Sequence, residues 1–452
     1  MSTGLASERA TRPPLPPAPA ARVPRAWIVW SFGVLAYLLA IVSRSSLSAV
    51  AVETSDRFGV TAATLSVFAV LQLGVYGAMQ IPVGLILDRI GPRRVLTVGL
   101  LVMALGQGLL AVTDAVPGAI AARVLVGAGD ATIFVSVVRL IIAWFPPGQA
   151  PLLTQVTGLI AQFGQVISVV PFLALVHARG WTDAFLGLAL VLLVVALAVG
   201  WTVRDQPPHA AARMVAAGPG VLTRIRQVWS NPGTRLGFWA HFVTPHGGNV
   251  IGLLWGFPYL TVGEGLSIAQ AQTLLAIQVV AGAAFGLMIG RFAGRHPLRR
   301  SWAVLAVVGI QAFALTLVLL NPGPAPVWQL LFLMGSFAAG GPGSLVGLDF
   351  ARTSNPPHLT SSATGMANSA GFLASLLALL MIGLLLDLQN AGTPDTYSLE
   401  GFRVAFGSLY LLWATGVLGV LHNRRRLRRV MAENGVHVPP LREVAGRYRP
   451  GR

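Results

Sequence analysis

Twelve apolar stretches of about 19 to 25 residues follow one another from Trp27 to His422. Each is as long as the roughly 30 Å hydrocarbon core of a bilayer requires at about 1.5 Å per helical residue. They run approximately 27–50, 61–83, 95–113, 118–140, 152–175, 183–202, 236–260, 268–290, 302–320, 328–349, 364–388 and 402–422. In lipid every backbone N–H and C=O needs a partner within the protein, and runs of this length meet that need as helices. The expected class is an all-α integral membrane protein. A hydrophobic share of 54% and a charged share of only 10% exclude an ordinary water-soluble fold.

The charge that remains is one-sided. All 32 basic residues are arginine, set against 15 acidic ones, a formal excess of 17. Such a balance can mark a nucleic-acid binder, but here the arginines form short clusters between apolar runs, which removes nucleic acid as a partner. With both termini placed in the cytoplasm, 26 arginines fall on the cytoplasmic side and only Arg57, Arg179 and Arg403 on the other. That asymmetry orients a multi-pass protein of the cell's inner (plasma) membrane, with anionic lipids as partners. Arg44, Arg123 and Arg139 are left inside helices. Cysteine is absent, the eight histidines show no metal-ligand spacing, and a chain without lysine lacks a phosphate-cradling loop of the usual kind. No enzyme, metal or cofactor is expected, and the working assumption is a monomer.

The polar gap from Arg204 to Arg235 divides the spans six and six. The expected organisation is a disordered cytoplasmic tail over 1–26, a six-helix bundle over 27–203, a cytoplasmic linker over 204–235, a second six-helix bundle over 236–422 and a basic cytoplasmic tail over 423–452. A repeat crosses the linker. Gly84 near the end of the second span recurs as Gly286, 202 positions on, and Thr157-Gly158 recurs as Thr364-Gly365, 207 positions on. Parallel repeats of this kind put a shared cavity at the interface of the two bundles.

The loop after the second span carries Gly84, Asp88, Arg89, Gly91, Arg93 and Arg94. A carboxylate at a membrane boundary needs a positive partner, from an arginine or from the N-terminal end of a neighbouring helix. This series resembles the loop between the second and third helices of the major facilitator superfamily. The resemblance implies a gating role for Gly84, Asp88, Arg89, Gly91 and Arg93, with Asp88 and Arg93 forming a cytoplasmic latch. Its docking end is expected at the start of the eleventh helix, near Ser361 and Ser362. The repeat copy has Gly290 where the carboxylate stands, so a second latch is not expected.

Arg123, Gly127 and Asp130 lie at i, i+4 and i+7 and share one face of the fourth helix. A charge at a helix centre costs about 2.5–3.5 kcal/mol by insertion scales, so two on one face must pair or line water. Arg44 in the first helix is a third. Ser43-Arg44 together with Arg123 and Asp130 is similar to the anion:cation symporter branch of that superfamily, where an aspartate stands at the position of Ser43 and a glutamate at that of Asp130. The resemblance implies Arg44 and Arg123 as guanidinium forks for a small organic anion and Asp130 as the proton-coupling residue. Burial favours a neutral carboxyl and a neighbouring arginine favours the carboxylate. A substrate that claims the arginine therefore frees Asp130 to take a proton.

Gln162, Gln165, His246, Asn249 and Asn368 complete the expected substrate-binding set, as polar residues in otherwise apolar helices. The seventh helix is interrupted by Pro245, Gly247 and Gly248, which makes it a candidate gate. The resulting expectation is a secondary transporter that moves a small organic anion with protons by alternating access. A polyspecific exporter of the same superfamily and a non-transporting membrane sensor on the same scaffold are the alternatives. The structural expectation is twelve transmembrane helices in two six-helix bundles with a central cavity.

Overall fold

The computed structural model describes residues 23–60, 62–207, 220–389 and 397–436. Most of the two expected tails and the middle of the expected linker, 208–219, lie outside the described residues. Among the described residues every regular element is a helix. Eleven helical segments are long and apolar enough to cross a membrane. They are α1 (Val23–Ala49), α2 (Ala62–Ile90), α3 (Pro92–Val112), α4 (Val116–Trp144), α5 (Ala150–Arg179), α6 (Trp181–Thr202), α8 (Ile268–Arg295), α9 (Arg300–Leu319), α10 (Val327–Ser354), α11 (Pro357–Leu388) and α12 (Leu399–Glu433). The twelfth crossing, α7 over 232–263, is cut into pieces.

Those cuts have local causes. The first piece of α7, Pro232–Val243, is capped by the Asn231 side chain and ends at the Thr244-Pro245 turn. A five-residue helix, His246–Val250, then passes into widened π turns at Ile251–Trp255 and Tyr259–Gly263 on either side of Pro258. Proline removes an N–H and crowds the preceding turn, and the backbone relieves this by widening. The same device recurs in α5, where a π turn at Ser168–Phe172 contains Pro171. In α10 the helix breaks at Ala339 just before Gly340, Gly341 and Pro342. Between α2 and α3 the chain reverses through the single residue Gly91, at a φ of 83° that side-chain-bearing residues rarely adopt.

Each half has its own apolar core. One runs from Val29 and Leu39 through Met103 and Phe185 to Val203, and the other from Leu236 through Phe337 and Phe402 to Val420. The halves meet along two seams, α2 on α11 and α5 on α8. At the first, a Cβ added to Gly84 would sit 2.6 Å from the Ser361 carbonyl, and one added to Gly365 would collide with the Gln80 carbonyl. At the second, a Cβ on Gly294 would lie 2.6 Å from the Gly148 carbonyl and one on Gly290 3.2 Å from the Leu152 Cα. Gln155 of α5 also donates to the Pro342 carbonyl of α10 at 2.8 Å. Small residues at these crossings let backbones touch, which is how helices associate in lipid. The repeat thus becomes physical, since Gly84 meets α11 at Gly365 while its copy Gly286 meets α5 near Leu159.

Both seams lie toward the face that carries the arginine-rich loops. An apolar plug adds to them there, formed by Phe134 and Val138 of α4 with Leu348 of α10 and Ala363, Met366 and Ala367 of α11. The α2–α11 seam ends at mid-depth with the rings of Tyr76 and Phe372, 4.6 Å apart. Beyond it Val70 is 53% exposed and, among the described residues, nothing stands within 4 Å of a Cβ at Gly74. On α5, Gln155 and Leu159 face the second bundle, and Gln162 continues the same face by helical periodicity; Gln162 and Gln165 are both exposed. The halves therefore close at the arginine-rich face and part toward the opposite one.

Candidate functional site

Tyr76 and Asp130 stand at comparable depth, each fourteen positions into a 29-residue helix. Asp130 is wholly buried, and its carboxylate is gripped by Arg44 of α1, whose Nε and Nη2 donate to the two oxygens at 2.8 and 3.1 Å. A two-point fork of this kind fixes direction as well as distance. The Arg44 guanidinium also lies 4.8 Å above the Tyr76 ring, and its side chain remains 31% exposed. It is thus the more exposed member of the pair.

Arg123 occupies a different environment. It is 1% exposed and donates to the Arg44 carbonyl at 2.9 Å, to the Ser43 carbonyl at 3.3 Å and to the Gln72 side chain of α2. Sequence periodicity groups Arg123 with Asp130, but the structure divides their work. Arg44 takes the carboxylate, while Arg123 holds the main chain that carries Arg44. The reason is reach: α1 crosses α4 so that the Arg44 side chain lies level with Asp130, whereas Arg123, about two turns away, lies level with the Arg44 backbone. Gln107 of α3 adds a bond to the Ser43 carbonyl at 3.2 Å. The Ser43 hydroxyl, where the symporter branch has a carboxyl, is buried with no partner among the described residues.

A second polar group continues from Tyr76 into the other half. Asn368 of α11 donates to Gln80 of α2 at 2.7 Å, and Gln80 in turn donates to the Tyr76 carbonyl at 3.2 Å. Asn368 also stands beside Tyr76 and His241. The His241 ring is held by the Ser344 carbonyl at 2.8 Å, and a Cβ at Gly371 would press on it. Tyr76, Gln80 and His241 did not stand out in the sequence. A lone histidine or glutamine in an apolar helix has no periodic signal, although Gln80 falls one turn from Gly84 on the seam.

Other expected residues are not brought to this cluster. His246 is buried against Trp413 of α12, its Nδ1 3.2 Å from the Phe242 carbonyl. Asn249 donates to Ser375 of α11 at 2.8 Å, within the second bundle. Gln162 and Gln165 lie on the parted section of α5.

The boundary carboxylate docks where expected. Asp88 accepts the backbone N–H of Ser361 and of Ser362 at 2.9 and 2.8 Å and the Ser362 hydroxyl at 2.5 Å. These are the first-turn amides of α11, which have no partner within the helix and carry its positive end. Arg93 instead ties α3 to the end of α6. Its Nε donates to the Gly200 carbonyl at 2.7 Å and its N–H to Asp205 at 2.6 Å. Asp205 also fills the space that a Cβ at Gly91 would need. Arg89 is exposed.

The chain is similar to several known proteins. The "Probable sulfoacetate transporter SauU" of Cupriavidus necator is 28% identical over 173 residues, 38% of this chain, and the match spans only 40% of that protein. Longer matches are to the "Probable L-galactonate transporter" of Escherichia coli, 24% identical over 79% of this chain and 83% of that one. The "Probable galactarate/D-glucarate transporter GarP" of the same species is 26% identical over 76% and 84%. Among solved structures, the proton:xylose symporter XylE superposes with a TM-score of 0.64 at 17% identity, covering 90% of this chain and 96% of that one. At that identity the likeness establishes the fold. The profile of the Major Facilitator Superfamily matches residues 33–379. That match spans most of the chain, which belongs to the Major Facilitator Superfamily.

Proposed function

We propose that the protein moves a small organic anion together with protons, by alternating access between its two halves. The observation that carries this reading is the fork of Arg44 on Asp130, with the arginine partly exposed and the carboxylate sealed. A guanidinium matched to one carboxylate is matched to another. A substrate carboxylate that takes Arg44 leaves Asp130 buried and unpaired, a state that burial makes costly until a proton neutralises it. Protonation of Asp130 likewise releases Arg44 to bind. The two ligands therefore favour each other through one side chain.

With the arginine-rich face cytoplasmic, the closed seams face the cytoplasm and the parted section faces outward. Asp88 on the α11 end then acts as the latch that holds this state. Arg123 is a positioning residue in it, and Gln162 and Gln165 stand along the entry path. Tyr76 and Asn368 connect the Arg44 site to the second half, so that occupancy at Arg44 bears on the seam that must open. The printed names of the relatives, with sulfoacetate, galactonate and glucarate among them, support an acidic substrate.

The test is uptake into vesicles reconstituted with the pure protein, using a panel of sugar acids and dicarboxylates under an imposed pH gradient. Asp130→Asn is expected to abolish gradient-driven accumulation while keeping exchange of substrate across the membrane. Uphill accumulation at the wild-type level in that variant would falsify the proton-coupling assignment. Transport of neutral or cationic solutes indifferent to Arg44→Gln would instead favour a polyspecific exporter.

A further inference from the structure

At the arginine-rich end of the second bundle lies an open pocket of about 540 Å³. The start of α7, the turn from α8 to α9, the end of α10 and the last turns of α12 enclose it. Three arginines line it, Arg300, Arg424 and Arg428, and no carboxylate is among its described lining residues. Arg300 is 7% exposed, bonded to the Pro297 carbonyl at 2.8 Å and to Thr353 at 3.3 Å, and stacked on Phe350 at 5.2 Å. Arg424 lies 4.5 Å over the Trp302 ring, and its buried Nε has no partner among the described residues. Arg428 is close enough to Arg299 to be repelled by it. The carboxylate near Arg300 is Asp349, which is already engaged by Arg352 at 2.7 Å.

The first turn of α9 opens beside the same space, with no side-chain cap and with Ser301 in the wall. The positive end of this 20-residue helix adds to the guanidinium groups, although the Trp302 amide is already taken by the Arg299 carbonyl. Like charges gathered around a void repel one another unless an anion sits between them. Guanidinium forks match phosphate oxygens in pairs. The remaining wall mixes Leu236, Leu427 and Met431 with polar side chains such as Asn231, Ser354 and Asn355, and the pocket lies where membrane-crossing helices meet the basic loops. A basic pocket between helices at headgroup depth suits an anionic lipid better than a freely diffusing ion.

We propose that this pocket binds the phosphate of an anionic phospholipid headgroup, through Arg424 and Arg428 with Arg300 at its base. The test compares the unfolding midpoint of the full chain in mixed micelles with phosphatidylglycerol, with phosphatidylcholine, and with inorganic phosphate or glycerol phosphate in solution. Phosphatidylglycerol is expected to raise the midpoint by several degrees over phosphatidylcholine, and native mass spectra are expected to retain a phospholipid adduct. Arg424→Gln with Arg428→Gln is expected to cut that rise to under about a third. Arg425→Gln with Arg426→Gln removes as many charges outside the pocket and is expected to keep it. If the first pair does not fold, Arg428→Gln alone takes its place. An undiminished rise in the pocket variant, an equal loss in the control pair, or an equal rise with soluble phosphate overturns the proposal.

Discussion

The guanidinium of Arg123 donates to the backbone carbonyl of Arg44 at 2.9 Å, so one buried arginine fixes the main chain from which another reaches Asp130. The two positive groups therefore fail differently when removed. Arg123→Ala is expected to lower both stability and transport, because it leaves the Gln72 side chain without its partner in a dry interior, at about 1–3 kcal/mol, and removes the tie on the main chain that carries Arg44. Arg44→Lys is expected to fold and to raise KM, since an ammonium keeps the charge and loses the fork. Denaturant titration of each variant beside its uptake kinetics checks this; an Arg123→Ala protein of wild-type stability contradicts it.

Removal of Arg44 leaves Asp130 buried without its partner, a loss of about 3–5 kcal/mol in such pairs. Arg44→Gln is thus expected to be severely destabilised, and Arg44→Gln with Asp130→Asn to recover much of the loss. A double-mutant cycle on unfolding midpoints measures the coupling. Strictly additive losses refute the pairing as an energetic unit.

Asp88→Asn gives up a charged acceptor for two amides and a hydroxyl on α11, worth about 1.5–3 kcal/mol per bond to a charged group at most. Closure at the arginine-rich face is expected to weaken roughly tenfold or more. Because the chain has no cysteine, Met366→Cys in the apolar plug, 5% exposed, reports this directly through its maleimide labelling rate. The rate is expected to rise in the Asp88→Asn background. No change in labelling removes the latch.

Gly84→Val is expected to act in the same direction by another route, since its side chain would enter the space held by the Ser361 carbonyl. Labelling at Met366→Cys should rise here too, with Asp88 intact. A fast-labelling Asp88→Asn protein beside a slow-labelling Gly84→Val protein would mean that the seam yields elsewhere.

At the opposite face, Glu53 lies 2.6 Å from His177 at the end of α5. The His177 hydrogen bond, with help from the backbone, holds the Glu53 carboxyl below its ordinary range. A carboxyl lowered in the folded state adds stability above its unfolded value of about 4.3 and loses it as pH falls through the folded one. The melting advantage of the wild type over Glu53→Gln is expected to be full at about pH 5 and to shrink below about pH 4. A gap that does not change over that interval excludes the linkage.

The sequence revealed most where chemistry is local. Asp88 announces its partner because a carboxylate at a helix end must meet positive charge, and the start of α11 offers an N-terminus at the right depth. Pro245 and the glycines after it announce a broken helix; the π turns beyond it, at Ile251–Trp255 and Tyr259–Gly263, depend on how strain is relieved and left no pattern. The Arg44 fork was half legible. Two arginines were candidates for Asp130, and only the crossing of α1 over α4 decides between them. His241 and Tyr76 stayed hidden because their neighbours come from other helices, and His246 drew attention that its packing against Trp413 does not repay.

Gly290 occupies the place on α8 that Asp88 holds on α2, and there helix rests directly on helix. One crossing is fastened by a carboxylate held on three donors of α11, the other by the close fit of Gly290 and Gly294 against α5. A motion that frees the first while the second stays engaged is a swing about a fixed edge. The mouth at the arginine-rich face should accordingly open as a wedge, widest beside α2 and α11.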